Sequence, residues 1–89
     1  MAYNAKSLSV LAYANGFTLW HYSTSDTANQ VDTAGYFNSA ADMLRVGDMV
    51  LGNVGLSGTP SAGVFVVRAN QNGVVDVANL TPFGAANDR

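Results

Sequence analysis

The stretch Gly35–Val54, GYFNSAADMLRVGDMVLGNV, holds the transition on which the fold turns. Phe37, Ala40, Ala41 and Leu44 recur at helical spacing with Met43 alongside, so its first half reads as a helix of about two turns. Asn38 is one candidate N-cap. Ser39 with Asp42 three residues on is another, a capping box in a weaker Asp version. So short a helix is unstable alone and must dock on a sheet. Gly47 ends it or makes the turn. The second half, DMVLGNV, is apolar on both faces near Val50 and Leu51, the pattern of a buried central strand. Asp48 then has two readings. It is a catalytic carboxylate at a Gly-Asp turn, or it is only the residue that reverses the chain.

Strand signals lie on both sides of this stretch. Upstream, FTLWHYS (Phe17–Ser23) alternates. Phe17, Leu19 and His21 share one face; Thr18, Trp20 and Tyr22 share the other. LSVLAYA (Leu8–Ala14) is a weaker strand, and Asn15-Gly16 between them is a strong hairpin-turn signal. Downstream, GVFVVRANQNGVVDVANL (Gly63–Leu80) is a second hairpin, apolar on both faces. A regular ladder puts Val64, Val66, Arg68, Val75 and Val77 on one side. Phe65, Val67, Ala69, Val74, Asp76 and Ala78 then take the other. A hairpin apolar on both sides must be covered. Residues 1–7 read as an N-terminal arm, Thr24–Gly35 as polar loop, 55–63 as a Gly/Ser/Pro loop, and 80–89 as an extended tail.

Composition supports a mostly β chain. All the acids are Asp, there is no Glu and one Lys, and Gly numbers 9. Asp, Asn and Gly belong to turns, whereas Glu and Lys favour helix surfaces. At 89 residues the chain is one small domain with one core and little room for a deep cleft. The expected fold is a small β-barrel or sandwich of about five to six strands with one short α-helix. Charged residues make up only 11% of the chain, which suggests that partners cover much of its surface.

The same numbers exclude several functions. A net charge of -2 gives no basic patch for nucleic acid. No apolar run approaches the ~20 residues of a membrane-spanning helix. Lys6 followed by SLSVLAYA imitates a signal peptide, but the apolar run is short and broken by Ser, so no cleaved signal is expected. Without Cys there is no disulfide and no thiolate metal site.

Chemistry-bearing residues are few. His21 is the single His and lacks a second His or Cys to share a metal, so a structural or surface role is expected. A pH-sensitive contact in an assembly is the other reading. Asp26, Asp32, Asp42, Asp48, Asp76 and Asp88 lack EF-hand spacing, and turn and cap roles account for most of them. No nucleophile elbow, P-loop or dinucleotide fingerprint occurs. Trp20, Tyr22, Tyr36 and Phe37 are the strongest binding signal, with core, protein-interface and sugar-stacking roles all open. No catalytic, metal or cofactor residues are expected.

The stretch Thr18–Val54 resembles a module of tailed-bacteriophage and prophage structural proteins. The likeness rests on Leu19–Tyr22 (LWHY), Gly35–Phe37 (GYF), Leu44, Gly47-Asp48 and Met49–Leu51. It implies a non-enzymatic virion protein, either a capsid decoration (cement) protein or a head-fibre-type protein. Such a protein is made in the host bacterial cytoplasm and sits on the capsid surface. Its partners would be the major capsid protein or another virion protein, and further copies of itself, with a trimer favoured. Contacts are expected through the arm, the 55–63 loop and the tail, with Tyr3, Trp20, Tyr22, Leu56, Pro60 and Phe83 as interface residues. The alternative is a carbohydrate-binding β module that stacks sugars on exposed Trp20 and Tyr22.

Overall fold

The computed structural model describes residues 3–14 and 17–84. Its strands are β1 (Leu8–Ala14), β2 (Phe17–Ser23), β3 (Met49–Val54), β4 (Ser61–Gln71), β5 (Val74–Val77) and β6 (Thr81–Pro82). The order is β1-β2-β3-β4-β5, and β6 also pairs with β4. The fold is mainly β, as expected, and the single sheet stays open instead of closing into a barrel. β2 and β3 are parallel; the other pairs are antiparallel. Parallel neighbours cannot be joined by a tight turn. Residues 24–48 therefore cross over, carrying the one α-helix of the described residues, α1 (Ala28–Val31). This crossover covers one face of the sheet, the task a second sheet performs in a sandwich.

The register shows why that face is the core. Trp20, Val50 and Phe65 form one row across β2, β3 and β4, and Tyr22, Gly52 and Gly63 form the next. Val67, Val75 and Val77 extend the apolar face, and Val31, Phe37, Ala40 and Leu44 pack onto it from the crossover. Each such Val, Leu or Phe side chain contributes about 1.5–3 kcal/mol on burial. Gly52 is needed for this packing, because a Cβ there would stand 2.7 Å from the Phe65 ring. The alternation expected for β2 holds: Thr18, Trp20 and Tyr22 are buried, and Phe17, Leu19 and His21 face the other way. The β1–β2 register joins the two strands as a hairpin, whose Asn15-Gly16 turn lies outside the described residues.

Two sequence expectations change. The two-turn helix after Phe37 is instead a 3-10 turn, Asn38–Ala40, followed by further tight turns. Phe37, Ala40 and Leu44 do dock as expected, and Met43 is exposed. Neither Asn38 nor Ser39 acts as the N-cap; Phe37 holds that place with no side-chain cap. The Asn38 Oδ1 instead accepts from the β5 Val75 N–H at 2.9 Å. Asn70 Nδ2, from β4, donates to the Ala41 and Leu44 carbonyls at 2.8 and 2.6 Å. Tertiary hydrogen bonds thus replace a longer helical ladder. The α-helix lies earlier, inside the supposed loop. Thr27 Oγ1 accepts from Gln30 N–H and Gln30 Oε1 from Thr27 N–H, a full capping box.

The second change concerns the β4–β5 hairpin. Asn72 and Gly73 make a two-residue turn, both at positive φ. The ladder then slips between Val67 and Ala69, so Val67, not Arg68, lies opposite Val77. One extra residue in a strand switches the faces beyond it. Val75 and Val77 therefore share the core with Phe65 and Val67 and not with Val64 and Val66.

Candidate functional site

Asp48 sits where the crossover enters β3 and is 1% exposed. Its Oδ1 accepts from the Thr18 N–H at 3.2 Å. Its Oδ2 accepts from Trp20 Nε1 at 3.3 Å and from the Arg45 N–H at 3.1 Å. Its own carbonyl accepts from the Val67 N–H at 2.9 Å. Gly47, at φ 96, gives the turn its direction. One carboxylate thus ties β2, the turn and an indole together. A buried carboxylate is tolerated when its lone pairs are taken in this way.

A second polar network lies at the far end of β2. The Asn4 N–H donates to the Tyr22 hydroxyl at 3.0 Å, and the Tyr22 and Tyr36 hydroxyls are 2.9 Å apart. Tyr36 donates to Asp26 Oδ2 at 2.7 Å. A phenol has one proton, so Tyr22 must donate to Tyr36, and the chain runs Asn4, Tyr22, Tyr36, Asp26. Burial alone would raise the Asp26 carboxyl pKa. Hydrogen bonds, led by that from Tyr36, outweigh it and hold the carboxyl below its ordinary value. Burial, then the bonds to Tyr22 and Asp26, hold the Tyr36 hydroxyl above its own. Tyr3 stacks on Tyr22 at 5.7 Å and meets Phe37 edge-on, so the described part of the N-terminal arm is docked on the core.

The expected interface residues separate into two groups. Trp20 and Tyr22 are 6% and 0% exposed and belong to the core, so neither offers a ring face to a sugar. Tyr3 is half-buried; Leu56, Pro60 and Phe83 are exposed. The exposed three gather at one end of the sheet. Leu8, Tyr22, Gly52, Gly63 and Pro82 lie in one register row. The arm leads into this end at Leu8, β3 leaves there for the 55–60 loop, and β6 leads out of it. At roughly 4.8 Å per strand, four spacings separate arm from tail by ~19 Å. Beside them a cleft of about 410 Å³ runs between the start of the crossover and the 55–60 loop. Its polar lining is neutral: Ser25, Thr27, Asn29, Ser57, Thr59 and Ser61. Sequence reasoning found the loop wall but missed the other wall, which forms only because β2 and β3 end side by side. Part of the expected tail is not free, since Thr81–Pro82 pair with β4. Asp88 and residues 85–87 and 89 lie outside the described residues.

Several other polar side chains have structural partners. Asn53 Nδ2 donates to His21 Nε2 at 2.8 Å, across the β2–β3 pair. Asp76 pairs with Arg68 at 3.3 Å. Asp32 is the C-cap of α1, and Asp42 is exposed. Among the described residues no three His or Asp side chains converge as a metal site. No helix among them is long and apolar enough to cross a membrane. No protein-family model, curated protein or solved structure matches this chain.

Proposed function

We propose that this chain is a non-enzymatic structural protein of a tailed-phage virion that binds the assembled capsid and stabilises or decorates it. The observation that carries this reading is the common pole. The docked arm, the 55–60 loop and residues 83–84 lie together at one end of the sheet, with Leu56 and Phe83 exposed there. The segment resembling phage structural modules, Thr18–Val54, is β2, the crossover and β3, the unit that positions this pole. Asp48, the one residue of that segment with a catalytic reading, has both oxygens committed to structural donors. Binding the assembled lattice and not its free subunits would stabilise the lattice by mass action. The gain is about 2.7 kcal/mol per site at a hundredfold excess over Kd.

The test is co-sedimentation of the full chain with purified capsids of the phage or prophage that encodes it. Saturable pelleting, and a rise in the temperature at which the capsids disrupt, are the expected results. Leu56→Asp and Phe83→Asp, both at exposed positions, should weaken pelleting by about tenfold or more while leaving circular dichroism unchanged. A chain that stays in the supernatant at all concentrations refutes the proposal. Should it instead bind glycans, the neutral cleft becomes the site to mutate, because Trp20 and Tyr22 are buried.

A further inference from the structure

The two rims of the sheet are built differently. On one rim, β5 and β6 run along the same edge of β4, opposite β3. That rim is interrupted at residues 78–80, and β6 is two residues long. Pro82 has no N–H to offer, Arg68 lies at a register slip, and Arg68 and Asp76 place charge there. Short strands, proline, bulges and charge are the devices by which sheets prevent edge-to-edge pairing. The other rim is β1, whose outer edge no described strand pairs with. It is a seven-residue strand with no proline. The sequence from Ser7 to Ser25 contains no Asp, Glu, Lys or Arg. Val10, Leu11 and Tyr13 are 54%, 53% and 61% exposed. Among the described residues, the only protection on this rim is the irregularity between Val10 and Ala12.

We infer that β1 is a self-pairing edge, through which two copies of this chain join antiparallel about a two-fold axis into one continuous sheet. The occupant follows from the contrast between the rims. A ring of copies joined head to tail would pair β1 with the β5/β6 rim of the next copy, and that rim is blocked. The closed solution left is isologous, β1 on β1. A neutral, apolar edge also meets no like-charge cost when it faces itself. This favours a dimer over the trimer that the phage resemblance implies. Antiparallel pairing points the two poles in opposite directions, so the dimer is a two-ended clip able to bridge neighbouring lattice sites. The clip rests on the capsid reading; the pairing itself rests on the fold alone.

Sedimentation equilibrium of the full chain between ~1 and ~500 µM tests it. The expected mass at high concentration is twice the 9.3 kDa chain. Leu11→Lys and Tyr13→Lys each enter the junction twice and should move the monomer–dimer midpoint upward by about tenfold or more. Val74→Lys, on the opposite rim, should leave it in place. Hydrogen exchange on the unmodified chain decides the matter independently of how the variants fold. Amides of residues 8–14 should exchange more slowly as concentration rises, with the same midpoint. A chain that is monomeric throughout, a trimer, exchange independent of concentration, or a dimer indifferent to both Lys variants overturns the inference. A dimer that ignores capsids would leave it standing and refute only the proposed function.

Discussion

Asp48→Asn is the substitution that separates architecture from chemistry in this chain. Asparagine keeps the shape of the side chain and one oxygen, which can still accept from the Thr18 N–H. Its NH2 group would then face Trp20 Nε1–H and the Arg45 N–H, two donors now at 3.3 and 3.1 Å from Oδ2. A hydrogen bond to a charged acceptor contributes about 1.5–3 kcal/mol, and a buried donor left unpaired costs a similar amount. Local relaxation will recover part of two such losses, so the expected destabilisation is about 3 kcal/mol. A domain of 89 residues has a total stability of about 4–13 kcal/mol. The variant should fold, with its melting temperature lowered by roughly 12–24 °C. Urea unfolding followed by circular dichroism, with the single Trp20 as a second probe, measures this directly. Asp42→Asn, at an exposed position, is the control and should stay within about 0.5 kcal/mol of the parent. An Asp48→Asn protein as stable as its parent would refute the structural assignment. If that stable protein also lost its function, Asp48 would be a chemical residue after all.

Three further outcomes follow from other contacts. Asn70→Ala removes the donor to the Ala41 and Leu44 carbonyls and should cost about 1–3 kcal/mol in urea unfolding; no change would mean that water replaces the amide freely. Gly52→Ala brings a methyl group against the Phe65 ring and should cost about 1–3 kcal/mol, read from the same transition. Stability should also depend on pH at both extremes. The Asp26 carboxyl is held below its unfolded value of about 3.9, so its contribution is intact above that pH and is lost as pH falls toward the lower folded value. The Tyr36 hydroxyl is held above its unfolded value of about 10, so its contribution is intact below that pH and declines as pH rises past it. In stability titrations Asp26→Asn should lose the acid slope and keep most of the alkaline one. Tyr36→Phe should lose the alkaline slope and also weaken the acid one, because Tyr36 donates the leading hydrogen bond to Asp26.

What could be read from the sequence divides along physical lines. Period-two alternation identified Thr18, Trp20 and Tyr22 as one face, because burial on a strand depends only on which side a residue faces. The run around Val50 and Leu51, apolar on both faces, identified a central strand, and of those faces the one carrying Val50 is fully buried. The failures occur where distant groups compete with local ones. Asn38 and Ser39 suit a helix start, but Asn38 is bonded to Val75, 37 residues away. No local pattern contains that partner. The slip at Arg68 was equally invisible, since either register of GVFVVRANQNGVVDV buries valines. The structure chose the one that sets Val75 and Val77 beside Phe65 and leaves Arg68 exposed. Thr27 with Gln30 was legible as a capping box, and the polarity of its surroundings hid it. Trp20 and Tyr22 show the general difficulty with aromatic residues in a small domain, whose polar tips suit an interface or a core equally well. Here the tips are taken by Asp48 and by the Tyr36–Asp26 pair, and the rings by the crossover. The exposed surface is mixed: it carries Tyr13, Phe17 and Phe83 as well as Lys6, Arg45 and Arg68. The backbone at the β1 rim and the apolar side chains at the pole are the parts of it on which the proposed contacts with other protein chains rest.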